Sequence, residues 1–198
     1  MMKNILNSLK KLNIDYLKIC DVISQSYPLQ NATYLYLAVL SAEDKYFLYH
    51  KGVSIKSLFR ALVKKHGGAS TINMQLVRTI TNRREITIQR KIREMILSLM
   101  IDFKFSKKQI LDSYLENAYF GYKLNGIHSA LELFFGNRNL KELSIRDNCF
   151  IASLLKRPYN PSKYIKWNAS VDKRIEHILF QIQLNEENLI SKIKTTLA

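Results

Sequence analysis

"RKIREMILSLMIDFKF", residues 90–105, decides the class of fold. Ile92, Met95, Ile96, Leu97, Leu99, Met100 and Ile101 recur at helical spacing. The run predicts a long helix from about Ile86 to Phe105 with a wide buried face. Arg90 stands four residues before Glu94 and Lys91 three, so both cations neighbour that carboxylate. One reading is a surface ion pair worth only ~0.3–0.5 kcal/mol. The other is a site where cations meet phosphate oxygens and the glutamate orients a cation or a metal.

Helix signals continue on both sides. Residues 3–20 place Ile5, Leu6, Leu9, Leu12, Tyr16 and Ile19 at helical spacing with lysines between. Such a basic amphipathic helix lies on an anionic bilayer or packs on the core. Ser54 predicts a helix over 55–64, stopped by His-Gly-Gly at 66–68, and Ser70 or Thr71 starts the next. Ser106-Lys-Lys-Gln109 has the form of a capping box, and Ser144-x-x-Asp147 opens a later helix. Asn125-Gly126 opens a helix through Phe135, and one or two more follow Pro161. Leu111, Tyr114, Leu115 and Tyr119 read as core, and short strands fit only near 119–123. The pattern predicts an all-α chain of around nine helices with short connections.

Composition agrees. Apolar residues make up 47% of 198, enough for a core, while Gly (6) and Pro (3) are too few for a turn-rich sandwich. The 31 basic against 16 acidic residues, a net charge of +15, point to an anionic partner: nucleic acid, a membrane surface or a phosphorylated substrate. Neither zinc-ligand spacing nor an RNA-binding aromatic signature accompanies that charge, which argues against nucleic acid. Cys20 and Cys149 sit apart in apolar surroundings and read as buried free thiols. The longest apolar run, Tyr34–Leu40, is too short to span a bilayer, and Lys10, Lys11 and Asp15 interrupt any signal-peptide pattern.

Two further stretches carry candidate chemistry. In "SAEDKYFLYHKG", 41–52, Glu43 and Asp44 end an apolar helix, where the helix dipole disfavours acids. Tyr46, Phe47, Tyr49 and His50 are placed to desolvate a carboxylate, as a general base requires. The structural alternative is a solvated helix end. In "GGASTINMQLVR", 67–78, a flexible entry leads to a helix N-terminus at Ser70-Thr71, a setting that binds phosphate, with Gln75 and Arg78 on a compatible face. The alternative there is a plain helix cap.

The order of these stretches resembles a known family. Glu-Asp-x-x-Phe-x-x-His-x-Gly (43–52), Gly-x-Ser-Thr-Ile-x-x-Gln-Leu-x-Arg (68–78), Arg-Lys-Ile-Arg-Glu (90–94), Ile-Leu-x-x-Tyr-Leu (110–115) with Tyr-Phe-Gly (119–121), and Gly-Ile-x-x-Ala (126–130) with Phe-Phe-Gly (134–136) resemble the peptidoglycan glycosyltransferases. These form glycosyltransferase family 51, the polymerising module of penicillin-binding proteins. The likeness covers about residues 30–185 and closes on "KELSIRDNCFIASLLKRPYNPSKY", 141–164. It implies a lysozyme-like, two-lobed helical domain over 30–198, with a large lobe and a small membrane-facing jaw, preceded by the basic segment 1–29. It departs from the family at Ser54, Ala69, Asn73 and Glu116-Asn117, where Asp, Gly, Thr and Asn are usual.

The resemblance implies polymerisation of lipid II onto a growing glycan chain, with inversion and release of lipid pyrophosphate. By matching position, Glu43 is the general base and Asp44 its partner. Glu94 serves the pyrophosphate side, with or without a divalent cation (Mg or Mn). Arg78, Arg90 and Lys91 stabilise the leaving charge, and Ser70 and Gln75 line the cleft. No metal ligand set is assigned. The family implies a membrane-associated protein on the extracytoplasmic face, with other cell-wall synthesis proteins as partners. The alternative is a catalytically impaired module of the same fold that binds lipid pyrophosphate or acts as a scaffold; a lysozyme-like hydrolase is a further class.

Overall fold

The stretch 34–42 is apolar on every side, so its helix has to be enclosed by protein all round. The computed structural model, which describes residues 2–54, 70–136 and 138–197, encloses its middle, 35–40, and leaves Tyr34 exposed. Helix α2 (Thr33–Glu43) buries Leu35, Tyr36, Leu37, Ala38, Val39 and Leu40. Each large apolar side chain so enclosed contributes about 1.5–3 kcal/mol.

The chain folds into two units. The second in chain order comprises residues 28–48 and 115–198. Its centre is α2, packed against α7 (Ile145–Leu154), α8 (Tyr164–Gln183) and α9 (Glu186–Thr196). Helix α8 presents Trp167, Val171, Ile175, Ile178 and Ile182 inward, a stripe at helical spacing. Helix α6 (Ile127–Phe135) starts at Gly126, whose φ of +79 favours glycine. Before it, β1 (Tyr119–Gly121) pairs antiparallel with β2 (Leu124–Asn125). Trp167 holds the far end together: it stacks on Phe134 and meets Phe150 and Tyr159 edge-on, and its Nε1 donates to Arg157 O at 2.9 Å.

The other unit comprises residues 1–27 and 49–114. Here α1 (Met2–Gln25), α3 (Ile72–Thr81) and α4 (Ile88–Lys104) pack on one another. Its core holds Ile19 and Ile23 of α1, Ile72, Met74, Leu76 and Val77 of α3, and Leu97 and Ile101 of α4. Helix α5 (Lys107–Asn117) adds Ile110, Leu111 and Tyr114. Asp15 of α1 accepts from Arg83 at 3.1 Å and from Arg93 at 2.8 Å, so a single carboxylate ties α1 to the entry and the first turns of α4.

Many start signals act as read. Capping boxes form at both starts: Ser106 exchanges bonds with Gln109 and Ser144 with Asp147. Thr71, and not Ser70, caps α3 by accepting from Met74 N. The helix predicted over 55–64 and the stop at 66–68 lie outside the described residues, which contain nine α-helices. Both cysteines are buried and free. Among the described residues no helix is long and apolar enough to cross a membrane.

Three expectations need correction. The wide apolar face of 90–105 is buried only at Leu97 and Ile101: Ile92, Ile96 and Leu99 are exposed, and Met95 and Met100 are half-buried. The inward stripe is instead Glu94, Leu97, Ser98 and Ile101. Gly52 approaches the main chain of α4 at Ser98. Glu94 is likewise no surface ion-pair partner, being 2% exposed. Tyr119, expected in the core, is 55% exposed, because strand alternation turns it outward while Phe120 goes in.

Gly52 has φ +75, and a Cβ there would stand 2.2 Å from Ser98 O. Gly52→Ala is expected to destabilise the protein by about 2–4 kcal/mol, read by urea unfolding. A change below about 0.5 kcal/mol would mean that the approach of the 49–54 segment to α4 is dispensable.

Candidate active site

A carboxylate removed from water has to be matched by cations and hydrogen-bond donors. Glu94, on the inward stripe of α4, is matched from two helices. Arg78 of α3 donates from Nε to Oε1 at 3.0 Å and from Nη2 to Oε2 at 3.1 Å, a two-pronged pairing. Arg90, one turn before Glu94, also reaches Oε1 through Nη1, and its Nε donates to Glu85 O. The side chain of Glu94 is 3% exposed against 35% for Arg78 and 15% for Arg90, so the cations face outward over a buried acid.

Ser70 joins this group. Its hydroxyl accepts from Arg78 Nη2 at 3.1 Å and from Lys91 Nζ at 3.4 Å. Thr71 spends its own hydroxyl on the helix cap and on Gly52 O at 2.7 Å, which pins the 49–54 segment to the start of α3. Burial pulls the Lys91 ammonium below the ordinary lysine range; Glu94 opposes that, and Arg78 and Arg90 add to the lowering. Ser70, Arg78, Arg90, Lys91 and Glu94, singled out in the sequence from separate motifs, therefore form one cluster within this unit. Gln75 is held elsewhere on α3, its Oε1 accepting from Tyr114 Oη at 2.9 Å. Asn73, at a family-divergent position, is buried and donates to Asp102, which also receives Lys107.

A divalent cation at Glu94 would meet guanidinium groups on both oxygens, so this donor set as it stands does not fit one. Among the described residues there is no group of three or more His, Cys, Asp and Glu side chains able to hold a metal ion.

The other unit holds Glu43 and Asp44. Glu43 is the last residue of α2 and Asp44 its C-cap. The rings expected to enclose the acid do so only in part: Phe47 is buried, but Tyr46 and Tyr49 are 45% and 58% exposed. The partner of Glu43 is a residue that no motif singled out. Arg174 of α8 donates from Nη2 to Ala42 O at 2.6 Å and to Glu43 Oε1 at 3.4 Å. The two side chains are 14% and 13% exposed. The only sequence hint was an arginine flanking the apolar stripe of α8. One turn on, His177 is held below the usual imidazole range by partial burial, then by Arg174 and Lys156.

A groove of about 680 Å³ in the first unit is lined by α1 and α4, with Leu9, Leu12, Ile92 and Ile96 among arginines 83, 90 and 93. Arg90 belongs to both this groove and the Glu94 cluster.

The family model described as Transglycosylase matches residues 24–183, and the chain belongs to that family, a class of glycosyltransferases. It is 36% identical over 151 residues to penicillin-binding protein 1A of Rickettsia typhi, covering 70% of this chain and 19% of that protein. With penicillin-binding protein 1A of Pseudomonas aeruginosa it shares 39% identity over 132 residues, 63% of this chain and 16% of that protein. With penicillin-binding protein 2a of Streptococcus pneumoniae it shares 36% over 150 residues, 74% of this chain and 19% of that protein. The chain spans about a fifth of the length of the curated relatives it matches.

Arg78→Lys is expected to cost roughly 1 kcal/mol, because a single ammonium cannot make the two-pronged pairing. Arg78→Ala should cost about 1–3 kcal/mol, discounted because the arginine is one-third exposed. Urea unfolding of both variants checks the order; equal stabilities of all three proteins would remove the ion pair from the account of this unit.

Proposed function

We propose that the protein is a peptidoglycan glycosyltransferase that polymerises lipid II. The observation that carries this reading is the cluster around Glu94. Two arginines, a half-buried lysine and a hydroxyl are held in place before any ligand arrives. Preorganised donors of this kind stabilise charge as it develops, with little reorganisation at the moment of reaction. A guanidinium also has more N–H donors than the contacts to Glu94 and Ser70 consume. Glu94 then acts through the cations: it sets where they stand and keeps them from repelling one another.

In the proposed reaction Glu43 accepts the proton of the acceptor's 4-hydroxyl. That oxygen forms a bond to the anomeric carbon of the donor sugar as the bond from that carbon to the pyrophosphate oxygen breaks. The electron pair leaves with the lipid pyrophosphate, whose new charge Arg78, Arg90, Lys91 and Ser70 stabilise. A single displacement inverts the anomeric carbon. Asp44 and Gln75 are assigned to the cleft by resemblance and have no step of their own here.

The same reading covers the membrane. Leu6, Leu9 and Leu17 of α1 and Ile88, Ile92, Ile96 and Phe103 of α4 are exposed, and Lys10, Lys11 and Lys18 lie along α1. An apolar face with lysines beside it suits an anionic bilayer, which is where a lipid-linked substrate resides.

With labelled lipid II, the wild-type protein is expected to give a ladder of long glycan chains. Glu43→Gln should lose about 100-fold or more in rate, the scale of a lost general base. Binding of lipid II without polymer would favour the scaffold reading instead, and short muropeptides released from cell wall would favour a hydrolase. The membrane assignment has its own check. Sedimentation with phosphatidylglycerol vesicles should exceed that with phosphatidylcholine, and the double variant Leu9→Glu, Ile96→Glu should lose most of the difference. Equal sedimentation of variant and wild type would discard it.

A further inference from the structure

We propose that Arg174 is a positioning residue for the general base, an inference that rests on the role of Glu43 given above. Two acids at the C-terminal end of α2 are in an unfavourable place. The last carbonyls of a helix lack intrahelical partners and carry partial negative charge. Glu43 and Asp44 add their own charge there, and a proton acceptor has to be ionised to work.

Arg174 answers each of these needs with one group. Its bond to Ala42 O, at 2.6 Å, satisfies a terminal carbonyl and fixes the guanidinium against the backbone of α2. The same nitrogen then reaches Glu43 Oε1 at 3.4 Å. The guanidinium is thus referenced to the main chain that carries the glutamate, so it sets the direction of the carboxylate as well as supplying counter-charge. At 14% and 13% exposure, solvent competes little with the pair. His177, the next basic group along α8, is held below the usual imidazole range by partial burial and by Arg174 and Lys156, which works against a second positive charge there. The arginine itself is held by α8, whose Val171, Ile175 and Ile178 are buried on either side of it in sequence.

A helix cap alone and a positioning residue differ in what their loss does. Loss of a cap lowers stability; loss of positioning lowers turnover of substrate that still binds. Steady-state polymerisation of labelled lipid II by Arg174→Ala is expected to show kcat down by about 100-fold with KM within about twofold. Arg174→Lys should retain activity to within about tenfold of wild type, since it keeps the charge. Added methylguanidinium should restore part of the rate of Arg174→Ala and leave Glu43→Gln unaffected. Thermal melts of the variants accompany the assay. An unchanged kcat in Arg174→Ala overturns the inference. So does a loss that tracks a lowered melting temperature and that neither lysine nor methylguanidinium recovers. A wild-type protein without polymerase activity would sink the reading of Glu43 itself, whereas an active wild type with an indifferent Arg174→Ala sinks only the role of the arginine.

Discussion

The constraint that governs the first unit is the burial of one carboxylate. Glu94 occupies a place on α4 where an apolar residue would ordinarily pack, and it is stable there only because Arg78 and Arg90 bond to it. Replacing such a group by a hydrocarbon of similar volume often costs nothing in stability. What the ion pairs hold is an arrangement: α3 and α4 are locked in register, and three cations with a hydroxyl are presented at one place. The Gly52 approach to Ser98 and the Thr71 bond to Gly52 O extend that lock to the 49–54 segment. Cations so close together repel, and Glu94 with Ser70 makes their grouping tolerable. The lowered Lys91 ammonium reflects its burial first and the neighbouring arginines second.

The second unit solves the opposite problem. Its acids stand at the negative end of a helix whose middle, 35–40, is buried, and Arg174 of α8 bonds both to Glu43 and to the carbonyl of Ala42. The two units therefore separate the chemistry by sign. One holds basic groups around a sacrificed carboxylate, and the other holds acidic groups around a sacrificed arginine. Several arginines are engaged inside the protein, on Asp15, Glu43 and Glu94.

Much of the local structure was legible along the chain. The capping boxes at Ser106 and Ser144, the helix start after Gly126 and the enclosed character of α2 follow from side-chain chemistry within one or two turns. So did the candidate residues, because five motifs in order carry the family. The failures have one cause. Ile92, Ile96 and Leu99 look like core at helical spacing, but periodicity gives the width of an apolar stripe and not which flank meets the rest of the protein. Tyr119 was misplaced in the same way: an aromatic in a short strand faces in or out by register, which composition does not carry.

By itself, then, the sequence determined the helical class, most helix starts, the family and which acids and bases are candidates for the chemistry. Those depend on interactions a few residues long and on motif order, both written linearly. Only the tertiary structure decided partnership. Arg78 and Glu94 are 16 residues apart, Lys91 and Ser70 are 21, and Arg174 and Glu43 are 131. Whether two charges that far apart in the chain meet is set by how helices pack, and the packing is dominated by apolar burial that is indifferent to the charges. That is why Arg174 passed unnoticed in a basic sequence until α8 was laid against α2.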